Sequence, residues 1–390
     1  MLSVYRDLGV IPKAERSDNF NKTPEDLSLY KLVHPGDVVV NKMKAWQGSI
    51  AVSGHRGIVS GDYLVCEVTG DVDLRFLHHL LRSRPLVDQY AMRAKGIRPS
   101  QWRLYWEDLA DISVDFPVLS AQEAIADFLD VETARIDALI TAKRRMIDLL
   151  EARRSTTVVA AVSGLDQPDR EPTDLPWLDS LPTHWRAVKL GFLARLGSGH
   201  TPSRNRPEWW VDCTIPWITT GEVVQMRSDR IEEIYETREK ISELGMANSS
   251  ATLHPKGTVV LCRTASAGYS AIMGANMATS QDFATWTCGS SLNPRFLLLC
   301  LRAMRTDLLE RLAMGSTHRT IYMPDIESIR VPLPPINEQD QIVEDTWQRL
   351  RRIDRTSISL QRQIDLLVER RQALITAAVT GELAVPGVAA

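Results

Sequence analysis

Ile364-Asp365-Leu366-Leu367-Val368-Glu369-Arg370-Arg371 restates Ile147-Asp148-Leu149-Leu150-Glu151-Ala152-Arg153-Arg154. Both stretches run on into an Ala-Ala-Val-[Ser/Thr]-Gly ending, at 160–164 and 377–381. The offset is constant (364 − 147 = 217). A period this long lies far above those of solenoid arrays and marks a duplicated domain. Upstream, Leu32-Val33-His34-Pro35-Gly36-Asp37-Val38-Val39 aligns with Leu253-His254-Pro255-Lys256-Gly257-Thr258-Val259-Val260, and Arg75-Phe76-Leu77 with Arg295-Phe296-Leu297. Further on, 104–109 aligns with 321–326, 114–117 with 331–334, and 121–125 with 338–342. Each copy therefore reads as a globular part followed by a helical tail. Duplication without a duplicated catalytic motif suggests a device that reads two things at once.

The tails decide the architecture. Residues 122–163 lack Pro and Gly, and Ile125, Leu129, Ile136, Leu139, Met146 and Leu150 form one seam, broken by Glu132 and Lys143. In the second tail Ile353, Leu360, Leu367 and Leu374 recur every seven residues (360 − 353 = 7). Such narrow seams belong to coiled coils rather than to ordinary surface helices. A long helix with so narrow an apolar seam is not stable alone. The expectation is that the two tails pair with each other; the alternative is that each packs on its own globular part. The globular parts read as mixed α/β, with β-branched runs at 37–40, 57–59 and 257–261 and one helix per copy at 74–92 and 294–314. Leu196-Gly197-Ser198-Gly199-His200 reads as a turn. The fold class is thus α+β: two mixed α/β parts separated by two long helices that pair as an antiparallel coiled coil. The boundaries are 1–118, 119–163 (first helix), 164–180 (an acidic, Pro-rich connector), 181–335, 336–381 (second helix) and a tail at 382–390.

Composition excludes several classes. The 390 residues carry 46 Lys and Arg against 49 Asp and Glu, a net charge of −3, so no global polyanion signal exists; a DNA reader needs only a basic contact surface. Five cysteines without Cys-x-x-Cys spacing, and no apolar span or leader, point to a cytoplasmic protein with buried thiols, no structural zinc and no membrane association. No Gly-x-x-x-x-Gly-Lys-[Ser/Thr] loop is present to cradle a nucleoside triphosphate, and no cofactor is expected. Asn293-Pro294-Arg295-Phe296 lacks the second proline of the amino-methyltransferase signature and aligns with a plain helix start.

Positive charge clusters at Arg75, Arg82, Arg84, Arg93, Lys95 and Arg98, and again at Arg295, Arg302, Arg305, Arg311 and Arg319. Such residues neutralise phosphates without reading sequence; the alternative is a solvated helix face. Two loops per copy are better suited to base edges. The first offers Lys42, Lys44, Trp46 and Gln47, with Arg263, Thr264, Ser266 and Tyr269 as counterparts. The second offers Arg98, Gln101 and Arg103, with Thr317, His318 and Arg319 as counterparts. Arg and Lys suit guanine, Gln suits adenine, and hydroxyls suit either. Trp46 could equally be a core residue. The copies differ most inside these loops, as two readers of different short sequences would.

Taken in order, these features resemble the specificity subunit of type I restriction–modification systems. Pro335-Ile336-Asn337-Glu338-Gln339 is similar to that family's helix start, Leu181-Pro182-Thr183-His184-Trp185 to the opening of its second target-recognition domain, and Arg153-Arg154 and Arg370-Arg371 to its helix endings. The resemblance implies two recognition domains, each reading half of a bipartite double-stranded DNA target. It implies helices, marked by Ile136, Leu139, Leu150, Ile353, Leu360 and Leu367, that set the spacing and dock two methyltransferase subunits, joined by two motor–nuclease subunits. The chain itself would catalyse nothing. Nothing before Met1 aligns with 181–185, so the first copy is expected to lack roughly 35 opening residues of the unit. The competing readings are a methyltransferase or nuclease with unrecognised chemistry, and a coiled-coil scaffold that binds no DNA.

Overall fold

The computed structural model describes residues 1–6, 8–15, 26–98, 101–315 and 319–388. The chain divides into two compact units, residues 1–145 with 360–390, and residues 146–359. Two long helices, Leu119–Ser163 and Ile336–Val379, each contribute one part to either unit.

The first unit contains β1 (Leu2–Tyr5), β2 (Gly9–Pro12), β3 (Lys31–Val33), β4 (Val38–Asn41), β5 (Ile50–Val52), β6 (Gly57–Val59) and β7 (Tyr63–Cys66). Its central sheet runs β5-β4-β7, antiparallel, with Val38 opposite both Val52 and Cys66. Alternation along β4 sorts the layers. Val38 and Val40 face Phe76, Leu77, Leu80, Leu86 and Tyr90 together with Ile125, Ala126 and Leu129 of the first long helix and Ile375, Ala378 and Val379 of the second. Val39 faces the other way, toward Leu2, Val4, Val10, Val33 and Val59 of the β1–β2 and β3–β6 ladders.

The second unit holds β8 (Arg170–Pro172), β9 (Ser180–Pro182), β10 (Arg186–Lys189), β11 (Ala194–Ser198), β12 (Ile215–Ile218), β13 (Glu233–Ile234), β14 (Lys240–Ile241), β15 (Val259–Cys262), β16 (Ser270–Met273), β17 (Ala278–Thr279), β18 (Phe283–Cys288) and β19 (Arg330–Leu333). Its main sheet runs β11-β18-β15-β16-β13. Val259 lies opposite Ile272 and Trp286, the same pairing as Val38 with Val52 and Cys66 at offsets of 221, 220 and 220 residues. Val259, Leu261 and Trp286 pack on Phe296, Leu297 and Leu301, on Val158 and Val162 of the first long helix, and on Val343, Trp347 and Leu350 of the second. Val260 and Cys262 face Ile218, Val223 and Met226.

Each long helix is fixed to its sheet by one buried amide. Gln122 donates to the Pro117 carbonyl (2.8 Å) and accepts from the Asp73 N–H (3.0 Å); Gln339 donates to the Pro334 carbonyl (2.9 Å) and accepts from the Asn293 N–H (2.8 Å). Asp73 and Asn293 in turn cap the helices Leu74–Leu81 and Pro294–Ala303 through side-chain oxygens. Both helices end at a left-handed glycine, Gly164 (φ 60°) and Gly381 (φ 79°), where a Cβ would be strained.

The helices pair antiparallel, and the pairing is reciprocal. In the first unit Arg371 grips Asp137 (Nε–Oδ1 2.9 Å); in the second Arg154 grips Asp354 (Nε–Oδ1 3.2 Å). Residues 154 and 371, and 137 and 354, are the same positions of the repeat (371 − 154 = 354 − 137 = 217). Two copies of one helix laid antiparallel must make each contact twice, as in an isologous interface. The buried positions Leu129, Thr133, Ile136 and Ile140, and Leu350, Ile353, Ser357, Leu360 and Ile364, alternate four and three apart, the coiled-coil period.

Several expectations need correction. Leu139 is 46% exposed and Ile140, one residue on, holds the seam position, because it lies four rather than three residues after Ile136. Met146 is likewise exposed; Leu150 and Leu367 are half-buried, while Ile136, Ile353 and Leu360 are buried. The single helix expected over 74–92 breaks into Leu74–Leu81 and Arg84–Arg93, since Pro85 fits only a first turn. Over 294–314 the α-helix stops at Ala303 and a π-helical turn covers Leu308–Leu312. Residues 196–198 are strand, not turn. The connector is more ordered than its prolines suggest, for β8 pairs with β9 and Leu175 is buried beside Leu181 and Trp185.

Two measurements follow. Arg154 is 7% exposed and Arg371 29% exposed. Asp354→Ala therefore strands a buried guanidinium and should cost about 3 kcal/mol. Asp137→Ala, at the more exposed pair, should cost under about 1 kcal/mol, both read from urea midpoints. Burial, aided by Arg82 beside His78, pushes His78 down to about 3 and burial pushes His79 down to about 4, from an ordinary 6.5. The unfolded chain thus binds more protons between those values, so this stability is complete above pH 6.5 and is lost as pH falls toward 4. The melting temperature should drop between pH 7 and 5, and His79→Gln should flatten that slope.

Candidate nucleic-acid interface

The two loops singled out in each copy are brought together by one backbone frame. In the first unit the Leu104 N–H donates to the Lys42 carbonyl (2.9 Å) and the Lys42 N–H to the Asp62 carbonyl (3.0 Å). In the second the Ile321 N–H donates to the Arg263 carbonyl (2.8 Å) and the Arg263 N–H to the Asp282 carbonyl (2.8 Å). The positions correspond through the same repeat, and the second loop of each copy is closed by an antiparallel bridge, Lys95 with Arg103 and Met314 with Thr320. β4 and β15 end at this frame, so the loops project from the ends of the central strands, where a rigid sheet can position variable side chains.

In the first unit Lys44, Gln47, Arg98 and Gln101 are exposed, and Lys42 and Arg103 half-buried. Arg103 pairs with Asp62 (3.2 Å). Trp46 settles between its two readings: it is half-buried, donates Nε1 to the Met43 carbonyl (3.0 Å) and meets Trp102 edge to face, ring centroids 5.3 Å apart. Gly48, at φ 92°, closes the short helical turn that carries Trp46. In the second unit Arg263 donates to the Gln281 carbonyl (3.0 Å), Thr264 bonds the Asp282 carboxylate, and Ser266 is half-buried. Tyr269 lies under the Arg305 guanidinium, 4.6 Å from the ring centre, and Arg305 is itself paired with Asp229 (2.6 Å). Arg319 is exposed. Thr317 and His318 lie outside the described residues.

Much of the local arginine excess is already engaged. Arg75 pairs with Asp73, Asp127 and Asp130, Arg84 with Asp88, Lys95 with Asp108, Arg295 with Glu232 and Glu233, and Arg311 with Asp307. Arg302 is buried and its guanidinium is pushed down to about 10 by that burial. It hydrogen-bonds the Asp229 carbonyl (2.7 Å), which also accepts from Arg154, while the Asp229 carboxylate accepts from Arg305. These helical arginines are held by carboxylates and carbonyls of the same unit. Trp102, Asp62, Asp282 and Asp229 were missed by the sequence reading. A signal existed for Asp62 and Asp282, which precede β7 and β18 at equivalent repeat positions (282 − 62 = 220). Among the described residues no group of three or more His, Cys, Asp or Glu side chains could hold a metal ion, and no helix is long and apolar enough to cross a membrane.

Residues 182–370 match the profile of the type I restriction modification DNA specificity domain. Just under half of the chain is thus similar to that family's specificity domain. Over 168 residues it is 26% identical to the MjaIX specificity subunit of Methanocaldococcus jannaschii, covering 42% of this chain and 38% of that protein. Over 160 residues it is 25% identical to the EcoR124I/EcoR124II specificity subunit of Escherichia coli, covering 40% and 38%. The matches thus span under two fifths of these relatives' length. Two solved structures share the fold at 20% identity. One, described as complex assembly and conformational transition of the type I R-M system, superposes with a TM-score of 0.68 over 90% of this chain and 84% of that one. The HsdS subunit from Thermoanaerobacter tengcongensis gives 0.55 over 90% and 83%. The aromatic pair of the first unit should behave as a unit. A Trp46→Ala, Trp102→Ala double-mutant cycle should give a coupling of about 0.5–1.5 kcal/mol in denaturant unfolding.

Proposed function

We propose that the chain is a non-catalytic DNA-specificity subunit in which each unit presents one pair of loops to one half of a bipartite double-stranded target. The observation that carries this reading is the repeated loop frame: the same backbone hydrogen bonds hold Lys42 in one unit and Arg263 in the other, at the base of loops whose side chains differ. A constant frame with different side chains is what two readers of different sequences need, since base edges are discriminated by donor and acceptor pattern while the scaffold only positions them. The antiparallel helices would hold the half-sites at a fixed separation and rotation and dock two methyltransferase subunits, with two motor–nuclease subunits completing a cytoplasmic complex. The match of residues 182–370 to the DNA specificity domain and the shared fold support this assignment.

The test is an exchange. Replacing residues 181–335 by the second recognition domain of another family member, with methyltransferase partners co-expressed, should change one half of the modified DNA sequence and leave the other half and the spacer intact. Sequencing of modified bases reads the outcome. Unchanged sites, or a change in both halves, would contradict the reading.

A further inference from the structure

A further loop of the second unit emerges at the end of the main sheet that carries Arg263. Strand register fixes this. Cys262, the last residue of β15, lies opposite Phe283, the first of β18, and Ser198, the last of β11, lies opposite Ala284. Ser270, which opens β16, lies opposite Leu261. The segment that follows β11 therefore starts beside the loop from Arg263 to Tyr269. Two bonds hold it there. The His200 N–H donates to the Thr279 carbonyl (3.0 Å), and Thr201 Oγ1 donates to Gln281 Oε1 (2.7 Å), the residue whose carbonyl accepts from Arg263. The approach requires Gly199, since a Cβ there would collide with the Thr279 carbonyl.

The tip of this segment is firmly mounted. Pro202 is buried, and the Ser203 carbonyl accepts from the Arg206 N–H (3.3 Å) and from Trp210 Nε1 (3.2 Å). The Arg204 guanidinium stacks on Trp210, 3.8 Å from the ring centre, and pairs with Glu239 (2.6 Å). Trp210 in turn packs on the buried Trp217 of β12, ring centres 5.5 Å apart. Arg204 is thus engaged in holding the loop, and its neighbours are not. Asn205 and Arg206 are exposed; among the described residues the Asn205 side chain has no hydrogen-bond partner. Arg206 faces Glu208 at 3.7 Å, an exposed pair of little strength. The adjoining loop is more committed. Arg263 donates to the Gln281 carbonyl, Thr264 bonds the Asp282 carboxylate, and Tyr269 is covered by Arg305.

We infer that residues 203–206 form a third reading loop of the second unit. Asn205 and Arg206 are its specificity-determining side chains, and Arg204 is the positioning residue that holds the tip. An amide presents a donor and an acceptor side by side, the pattern that adenine answers, and a guanidinium presents the paired donors that guanine answers. Such bidentate contacts need a support that fixes their geometry, which the stacked and hydrogen-bonded tip provides. A contact to phosphate alone would ask for neither the amide nor the rigid mount. The inference rests on the DNA-reading role proposed above and adds a loop to it.

The experiment uses the full chain co-expressed with methyltransferase partners, and sequencing of modified bases reads the sites. Asn205→Ala and Arg206→Ala change exposed side chains, so both variants should melt with the parent chain. Each should raise modification about tenfold at sites altered at one base position of a single half-target, with the other half and the spacer unchanged. Arg204→Ala should relax the same positions, and Arg204→Lys, which keeps a cation over Trp210, should restore most of the discrimination. The inference is overturned if the base preferences of Asn205→Ala and Arg206→Ala match those of the parent. It is equally overturned if modification falls evenly at every site, the mark of a phosphate contact. The exchange of residues 181–335 separates the two failures. Where that exchange moves one half-target and the tip variants move none, the third loop alone is lost; where it moves nothing, the reading falls and the loop with it.

Discussion

Two copies of one helix, run antiparallel, can meet in only one self-consistent way: whatever position 137 of the first does to position 371 of the second, position 354 must do to position 154. The chain obeys this, with a carboxylate and a guanidinium at each meeting point. Register in a coiled coil is weakly specified by apolar contacts alone, since one heptad of Leu and Ile resembles the next. Charged groups at seam positions penalise every slipped alignment, because a slip leaves an arginine against an apolar neighbour with no partner. Thr133, Ser357 and the half-buried Lys143, which donates to Gln363 (2.6 Å), dilute the seam further. The helix pair trades cohesion for a unique register, and the sheets supply the cohesion through Val158, Val162, Trp347 and Leu350 in one unit and Leu129, Ile375 and Val379 in the other.

That division of labour explains why Gln122 and Gln339 are amides rather than apolar residues. A helix exposes its first N–H groups, and the proline carbonyl just before each long helix, Pro117 or Pro334, needs a donor of its own. Each glutamine answers both demands, bonding a proline carbonyl behind it and the N-cap backbone of a neighbouring helix. Buried at the junction, it orients the long helix against its own sheet. A leucine of similar volume would fill the space and leave both groups unsatisfied, at a cost comparable to a lost buried hydrogen bond apiece.

The repeat, the long helices and the β4 and β15 strands were legible because each leaves a periodic trace: an offset of 217, a four-three seam, and valine runs flanked by glycine. What escaped was contact between residues distant in sequence. Arg75, Arg295 and Arg302 looked like a cationic face until their carboxylates, Asp127, Glu232 and Asp229, arrived from other segments. Leu139 beat Ile140 as a seam candidate only because both are apolar and adjacent; the choice belongs to the partner helix. β11 was hidden by its own glycine. Gly197 reads as a turn residue, yet it is glycine because Thr285 and His254 leave no room for a Cβ.

The loops carry the same lesson toward function. Their frame could not be read from sequence, since it consists of backbone bonds, Lys42 to Leu104 and Arg263 to Ile321, whose side chains are dissimilar. A backbone frame tolerates any side chain that leaves its own N–H and C=O in place. Selection can then rewrite Lys42, Lys44 and Arg98, or Arg263 and Thr264, without disturbing the sheet beneath. The helical arginines have no such freedom, because Arg302 and Arg154 both bond the Asp229 carbonyl in the second unit. The tips of β4 and β15 can thereby take different side chains, while the helix side is fixed by its ion pairs and hydrogen bonds. A chain with a net charge of −3 can still present cations where they are exposed, at Lys44, Arg98 and Arg319.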